Sequence, residues 1–200
     1  MIDPRFAIVG AVLPLLGSLR YAQATLSGRA RPNRISWGLW ALLPLIAFAA
    51  ELSAGVGLAS LVTLALGLGP LLVLVASVGS RGAFAALERW DIWCAACALL
   101  AVGVWALSGH GYLAVSASVL GDAFAALPTI RKTYRAPQSE SASAFIASSL
   151  GSLLALLTLR RWTVDDAAFP AWVVLGGGLI GLLAVRQRLR RLIRAATGRL

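Results

Sequence analysis

The chain is short of the residues on which most enzymes and soluble domains depend. Its 200 residues include one histidine, two cysteines and one methionine, and only 13% are charged. The single lysine, Lys132, and the single asparagine, Asn33, both fall in short polar stretches between long apolar runs. A lone lysine in a basic loop excludes a retinal Schiff base. No metal-ligand cluster, nucleophile–base pair or phosphate loop can be assembled, so neither an enzyme nor a cofactor or metal is expected. Cys94 and Cys97 stand in C-x-x-C spacing but inside an apolar run, where they read as small packing residues rather than a redox pair.

Apolar surface is what the chain has in plenty. Hydrophobic residues make up 59% of it, and the mean hydropathy is +0.82. Soluble domains are roughly 45–50% apolar. Seven runs approach the ~20 residues that cross a bilayer as a helix. They cover Phe6–Leu26, Ser36–Ala54, Val56–Gly79, Trp90–Ser108, Gly111–Ile130, Ser141–Leu159 and Phe169–Val185. The alternation of a membrane β-barrel is missing, and helices satisfy their own backbone polar groups in lipid. The expectation is an all-α polytopic membrane protein. No basic segment precedes the first run, so that run is expected to stay in the membrane rather than be cleaved.

Arginine sets the expected orientation. Arg29, Arg31 and Arg34 lie in one loop, Arg81 and Arg89 in the next on that side, and Arg131, Lys132 and Arg135 in a third. The tail adds Arg186, Arg188, Arg190, Arg191, Arg194 and Arg199. The opposite side has Arg5, Arg160 and Arg161, offset by Asp3, Asp165 and Asp166. The positive-inside rule then puts the N-terminus outside and the C-terminus in the cytoplasm. Topology accounts for the net charge of +10 without nucleic acid. The expected partners are membrane lipids, which the basic tail can lie on, and a small-molecule substrate. A homo-oligomer stays open. The arginine- and alanine-rich usage suggests a bacterial cytoplasmic membrane.

The runs divide as three, one and three. A shift of 108 residues lays Leu19 on Leu127, Thr25 on Thr133, Trp37 on Phe145, Trp40 on Ser148 and Pro44 on Ser152. Identity is weak, but the layout repeats: a span, a basic loop, a Ser/aromatic helix start and a further apolar span. Two parallel three-helix repeats are expected, over residues 1–80 and 110–188, joined by an inverting helix within 81–109 and followed by a tail over 189–200. Such repeats place a small-molecule site near the membrane midplane.

Several residues stand out as candidates. Asp122 lies about mid-depth in the fifth span, where a carboxylate costs roughly 2.5–3.5 kcal/mol on insertion scales. It is expected to contact substrate and carry a proton. Arg20, on the equivalent first span, is expected as its partner, in coupling or as a static pair. Ser141, Ser148 and Ser152 share one helix face, and Trp37, Trp40, Pro44 and Phe48 form a comparable stripe. Trp40 is expected to line a cavity, and Trp37 to be an interfacial anchor like Trp90, Trp93 and Trp162. Trp172 is the seventh span's aromatic for stacking on a substrate. Gly176–Gly178 admits close helix approach, or an opening beside a ligand. Glu51 and His110 are candidate outer gate groups.

The stretch Leu127-Pro128-Thr129, the basic Arg131-Lys132-Thr133-Tyr134-Arg135 and the run Ser139-Glu140-Ser141-Ala142-Ser143-Ala144-Phe145 resemble the PQ-loop and SWEET-type transporter family. Pro128 corresponds to the motif proline, Thr129 replaces its glutamine, and Arg20 occupies the proline position of the first half. The resemblance implies two bundles around a central cavity that opens alternately to each side. It implies hinges at Pro14, Pro44 and Pro128, where proline removes a helix hydrogen bond; simple tolerance of proline in membrane helices is the alternative. Proton-coupled members similarly carry an aspartate in the fifth helix. Sugar-transporting members set an asparagine in each third helix, which this chain lacks. The function expected is alternating-access transport of a small polar solute. The alternative is a receptor or trafficking protein on the same scaffold.

Overall fold

The computed structural model describes residues 6–53, 60–80, 82, 84–108, 111–159 and 162–197. Among them are seven α-helices and no strand. These are α1 (Phe6–Leu26), α2 (Arg34–Ser53), α3 (Ser60–Gly79), α4 (Arg89–Ser108), α5 (Gly111–Arg135), α6 (Ala142–Thr158) and α7 (Val164–Thr197), with a 3-10 turn at Pro137–Ser139. Two helices outrun their apolar segments. Arg131–Arg135 is the end of α5 rather than a loop, because nothing breaks the helix before Ala136-Pro137. The arginine-rich stretch after Val185 continues α7 to Thr197. Among the described residues one segment, Asp166–Arg186, is long and apolar enough to cross a membrane, with a mean hydropathy of 2.0.

The helices pack in a closed order. α1 and α2 both lie on α3, and α5 and α6 both lie on α7. The two groups meet where α1 packs on α6 and α2 on α5. Every pairing thus has a mate four helices later. α4 stands outside this ring, against α5 and α2.

Small residues permit the α1–α6 seam. A Cβ on Gly151 would come 2.3 Å from the Gly10 carbonyl oxygen, and one on Gly17 would come 2.6 Å from Ala147 Cβ. That carbonyl is the one Pro14 leaves without a helical donor, since proline has no N–H. Ser143, one turn before Ala147, donates to the Gly17 carbonyl at 3.0 Å. The seam is backbone against backbone, so larger side chains are excluded from it.

Turn chemistry gathers the loops at one end. Gly28 has φ +71° and ends α1, its N–H reaching back to the Thr25 carbonyl at 2.9 Å. Asn33 caps α2, its Oδ1 accepting from the Ile35 and Ser36 amides at 3.0 and 3.2 Å. Its Nδ2 donates to Asp91 Oδ2 at 3.1 Å, tying the cap to α4. The sole asparagine therefore has a structural task. The Arg31 amide donates to the Ser139 carbonyl at 2.8 Å, and Ala85 to Pro32 at 3.1 Å. Arg131 Nη1 reaches Glu88 Oε2 at 2.7 Å. All three basic connections thus share one end, hereafter the basic end.

Large apolar side chains cover the outside. Leu107 is 91% exposed and Ile8, Val78, Leu100 and Leu175 are each above 65%. Trp90, Trp93 and Trp162 are also exposed.

Candidate functional site

A cavity of about 390 Å³ runs down the middle of the ring. Its described lining comes from α1, α2, α3, α5, α6 and α7, and none from α4. Trp40, Asp122, Ser148 and Ser152 all line it, as do Pro14 and Pro44. Much of the lining falls into pairs 108 residues apart. Pro14 and Asp122, and Ser18 and Ala126, pair across α1 and α5. Trp37 and Phe145, Trp40 and Ser148, and Pro44 and Ser152 pair across α2 and α6. Ala65 and Val173, and Gly69 and Gly177, pair across α3 and α7. Two such pairs touch directly: Trp37 and Phe145 have ring centroids 5.7 Å apart, and Arg31 and Ser139 share the loop hydrogen bond. Outside the cavity, Thr25 Oγ1 and Thr133 Oγ1 are also 108 apart, and each donates to the carbonyl four residues before it.

Asp122 is the only ionisable group among the described lining residues. The Trp172 indole N–H donates to its Oδ2 at 2.6 Å, and the Trp40 indole approaches the same carboxyl. Trp172 itself stands behind the wall rather than in it. The stacking surface comes instead from Trp37, Trp40, Phe145 and Phe169. Trp37 meets Trp40 edge-on at 5.4 Å, and Trp40 meets Phe145 at 6.0 Å.

The basic end of the cavity is sealed. Trp37, Phe145 and Ile180 form its floor at 2%, 5% and 1% exposure. Tyr21 lies against Trp37 at 4.7 Å and donates its hydroxyl to Glu140 Oε2. Glu140 also pairs with Lys132, which donates to the Arg31 carbonyl. This network joins α1, the α1–α2 loop, the end of α5 and the start of α6. Burial pushes the Glu140 carboxyl above the usual glutamate range, and Lys132 and then Tyr21 pull it part of the way back. Toward the other end the lining includes Ala11, Phe169 and Pro170, which remain partly exposed.

Other residues named from the sequence lie away from the cavity or at its floor. Arg20 is exposed on α1 and forms no ion pair with Asp122 among the described residues. It lies about 9 Å along the axis from Leu26 at ~1.5 Å per residue. Pro128 is fully buried near that end and is not part of the described lining. Trp37 is no interfacial anchor but floor, because Phe145 packs on it. Phe48 is absent from the described lining. His110 and the Glu51 side chain lie outside the described residues.

Other lining residues were not singled out from the sequence. Pro70 and Pro170 kink-prone positions, in α3 and α7, both face the cavity. A proline inside each third helix was the available signal. Gly177 serves close approach: a Cβ there would come 2.8 Å from Ser149 Oγ. Gly176 and Gly177 also border the cavity, so both readings of the glycine run apply to it. No protein-family model matches this chain, and neither a curated protein nor a solved structure matches it.

Proposed function

We propose that the chain is a multi-pass membrane carrier that moves a small solute through the central cavity by alternating access. The observation that carries this reading is a cavity lined by pairs of residues 108 apart and closed at the basic end. Two parallel three-helix repeats, α1–α3 and α5–α7, with α4 as the inverter, account for that pairing and for the mated helix contacts. Two similar bundles can rock about their shared seam and move the seal from one end to the other.

Membrane crossing by all seven helices is supported by the exposed leucines, isoleucines and valines, which water would not tolerate over so large an area. The basic connections gathered at one end support a cytoplasmic face there, with the C-terminus inside. In that orientation the cavity faces outward. Asp122 is the coupling group: held by indole donors and, among the described residues, by no cation, it can exchange a proton as the seal changes sides. Carriage, not catalysis, is the function.

The reading is tested by solute flux into proteoliposomes. Ser152→Trp fills the cavity and is expected to stop flux while thermal unfolding stays cooperative. Flux that survives this block overturns the cavity route. Ligand binding without any flux makes the protein a receptor.

A further inference from the structure

The cavity's chemistry names a class of solute. Its one described ionisable group is an acid, its hydroxyls are few, and its floor is a cluster of aromatic rings. The indole N–H groups that hold Asp122 are neutral donors. They orient the carboxylate and stabilise it without cancelling its charge. No arginine, lysine or histidine belongs to the described lining, so among those residues only neutral donors could meet a ligand's carboxylate or phosphate, beside the acidic Asp122. The volume of about 390 Å³ sits at the small end of the roughly 300–1,000 Å³ typical of ligand pockets.

Resting on the transport reading, we infer that the solute is a small organic monocation: an ammonium group on an apolar or aromatic body, with no acidic group. The ammonium pairs with Asp122. The body lies on Trp40, Trp37 and Phe145, whose ring faces attract cations as well as apolar surface. Ser148 and Ser152, one and two turns along α6 from Ala144, supply the hydroxyls for one further polar group. Amino acids are disfavoured, because their carboxylate meets Asp122 and no compensating charge. Sugars are disfavoured, because too few donors and acceptors replace their lost water.

The probes are phenethylamine, benzyltrimethylammonium, 2-phenylethanol and L-phenylalanine, titrated against the whole chain in lipid nanodiscs by tryptophan fluorescence and calorimetry. Both cations are expected to bind at least about tenfold more tightly than the alcohol or the amino acid, a margin one desolvated charge–aromatic contact set can supply. Benzyltrimethylammonium cannot lose its charge, so its binding excludes recognition of the neutral amine. Asp122→Asn keeps an acceptor for Trp172 and should weaken the cations by a similar factor while leaving 2-phenylethanol unchanged. The wild-type ranking stands without any variant. Equal binding of alcohol and amine, tighter binding of phenylalanine, or no binding of either cation overturns the assignment. Charge-selective binding without flux of benzyltrimethylammonium keeps the cation site and retires the carrier. Cavity-dependent flux of an uncharged solute, with no cation binding, keeps the carrier and retires the cation.

Discussion

The two ends of the helix ring are built differently. At the basic end, Tyr21, Trp37 and Phe145 pack ring on ring, and beneath them Glu140 is satisfied by Lys132 and Tyr21. Polar loop groups there are tied across the two halves, as Arg31 is to Ser139. At the other end the lining includes Ala11, Phe169 and Pro170, which no comparable network joins among the described residues. The sealed end depends on charge and hydrogen bonding, which can be switched. The seam between them, at Gly10, Gly17 and Gly151, depends on backbone contact, which cannot be switched without loss of the fold. A carrier needs both: a fixed pivot and a reversible closure.

The comparison breaks most completely at Asp122. Asp122→Asn mimics the protonated acid and should reduce gradient-driven accumulation in proteoliposomes to the level of protein-free vesicles, while exchange persists at solute concentrations raised about tenfold to offset the weakened binding. Arg20→Ala should leave accumulation intact, since Arg20 does not face Asp122. Unchanged accumulation by Asp122→Asn would separate the cavity from proton use.

The next largest effect is at the seal. Lys132→Met leaves the buried Glu140 without its cation, and losing one partner of a buried pair costs about 3–5 kcal/mol. The closed basic end should give way, and a cysteine at position 126 should become reactive to reagent added on that side. If its labelling rate matches that of the parent Ala126→Cys protein, the ion pair is not what closes the end.

The seam should respond through stability instead. Gly151→Ala places a methyl 2.3 Å from the Gly10 carbonyl, and overpacking of this kind costs about 1–3 kcal/mol. Gly38→Ala meets nothing within 4 Å and serves as its control. Thermal unfolding in detergent should fall for the first and not for the second. Similar values for both would mean that the α1–α6 contact is not a fixed pivot.

The smallest effect is a pH trend. The closed end holds the Glu140 carboxyl above its ordinary range, so that form binds its proton more tightly than an opened, hydrated one. Acid therefore favours closure, and closure weakens as pH rises through the raised value. Labelling at position 126 from the basic side should increase with pH across a window beginning at the ordinary glutamate range. Glu140→Gln should flatten the trend, and a trend that persists in it must come from another group.

Composition and hydropathy alone determined the seven helices seen among the described residues and most of their boundaries, though α5 and α7 run past their apolar segments, because an apolar run of about 20 residues satisfies its own backbone as a helix. Phe6–Leu26 matches its helix end to end, and the 108-residue shift found the partners Trp37/Phe145 and Trp40/Ser148 from layout rather than identity. Helical spacing also placed Asp122, Ser148 and Ser152 on inward faces, since a polar group in an apolar run has few other places to go. Tertiary structure decided who met whom. Arg20 and Asp122 occupy equivalent helices, yet Arg20 lies nearer the basic end than Pro14, the mate of Asp122, and on the outer face, while Asp122 lines the cavity. Sequence spacing does not fix which face of α1 turns outward; the Gly10–Gly151 and Gly17–Ala147 contacts do. Glu140 and Tyr21 lie 119 residues apart, and only the meeting of the two halves turns a loop glutamate and a helix tyrosine into a seal.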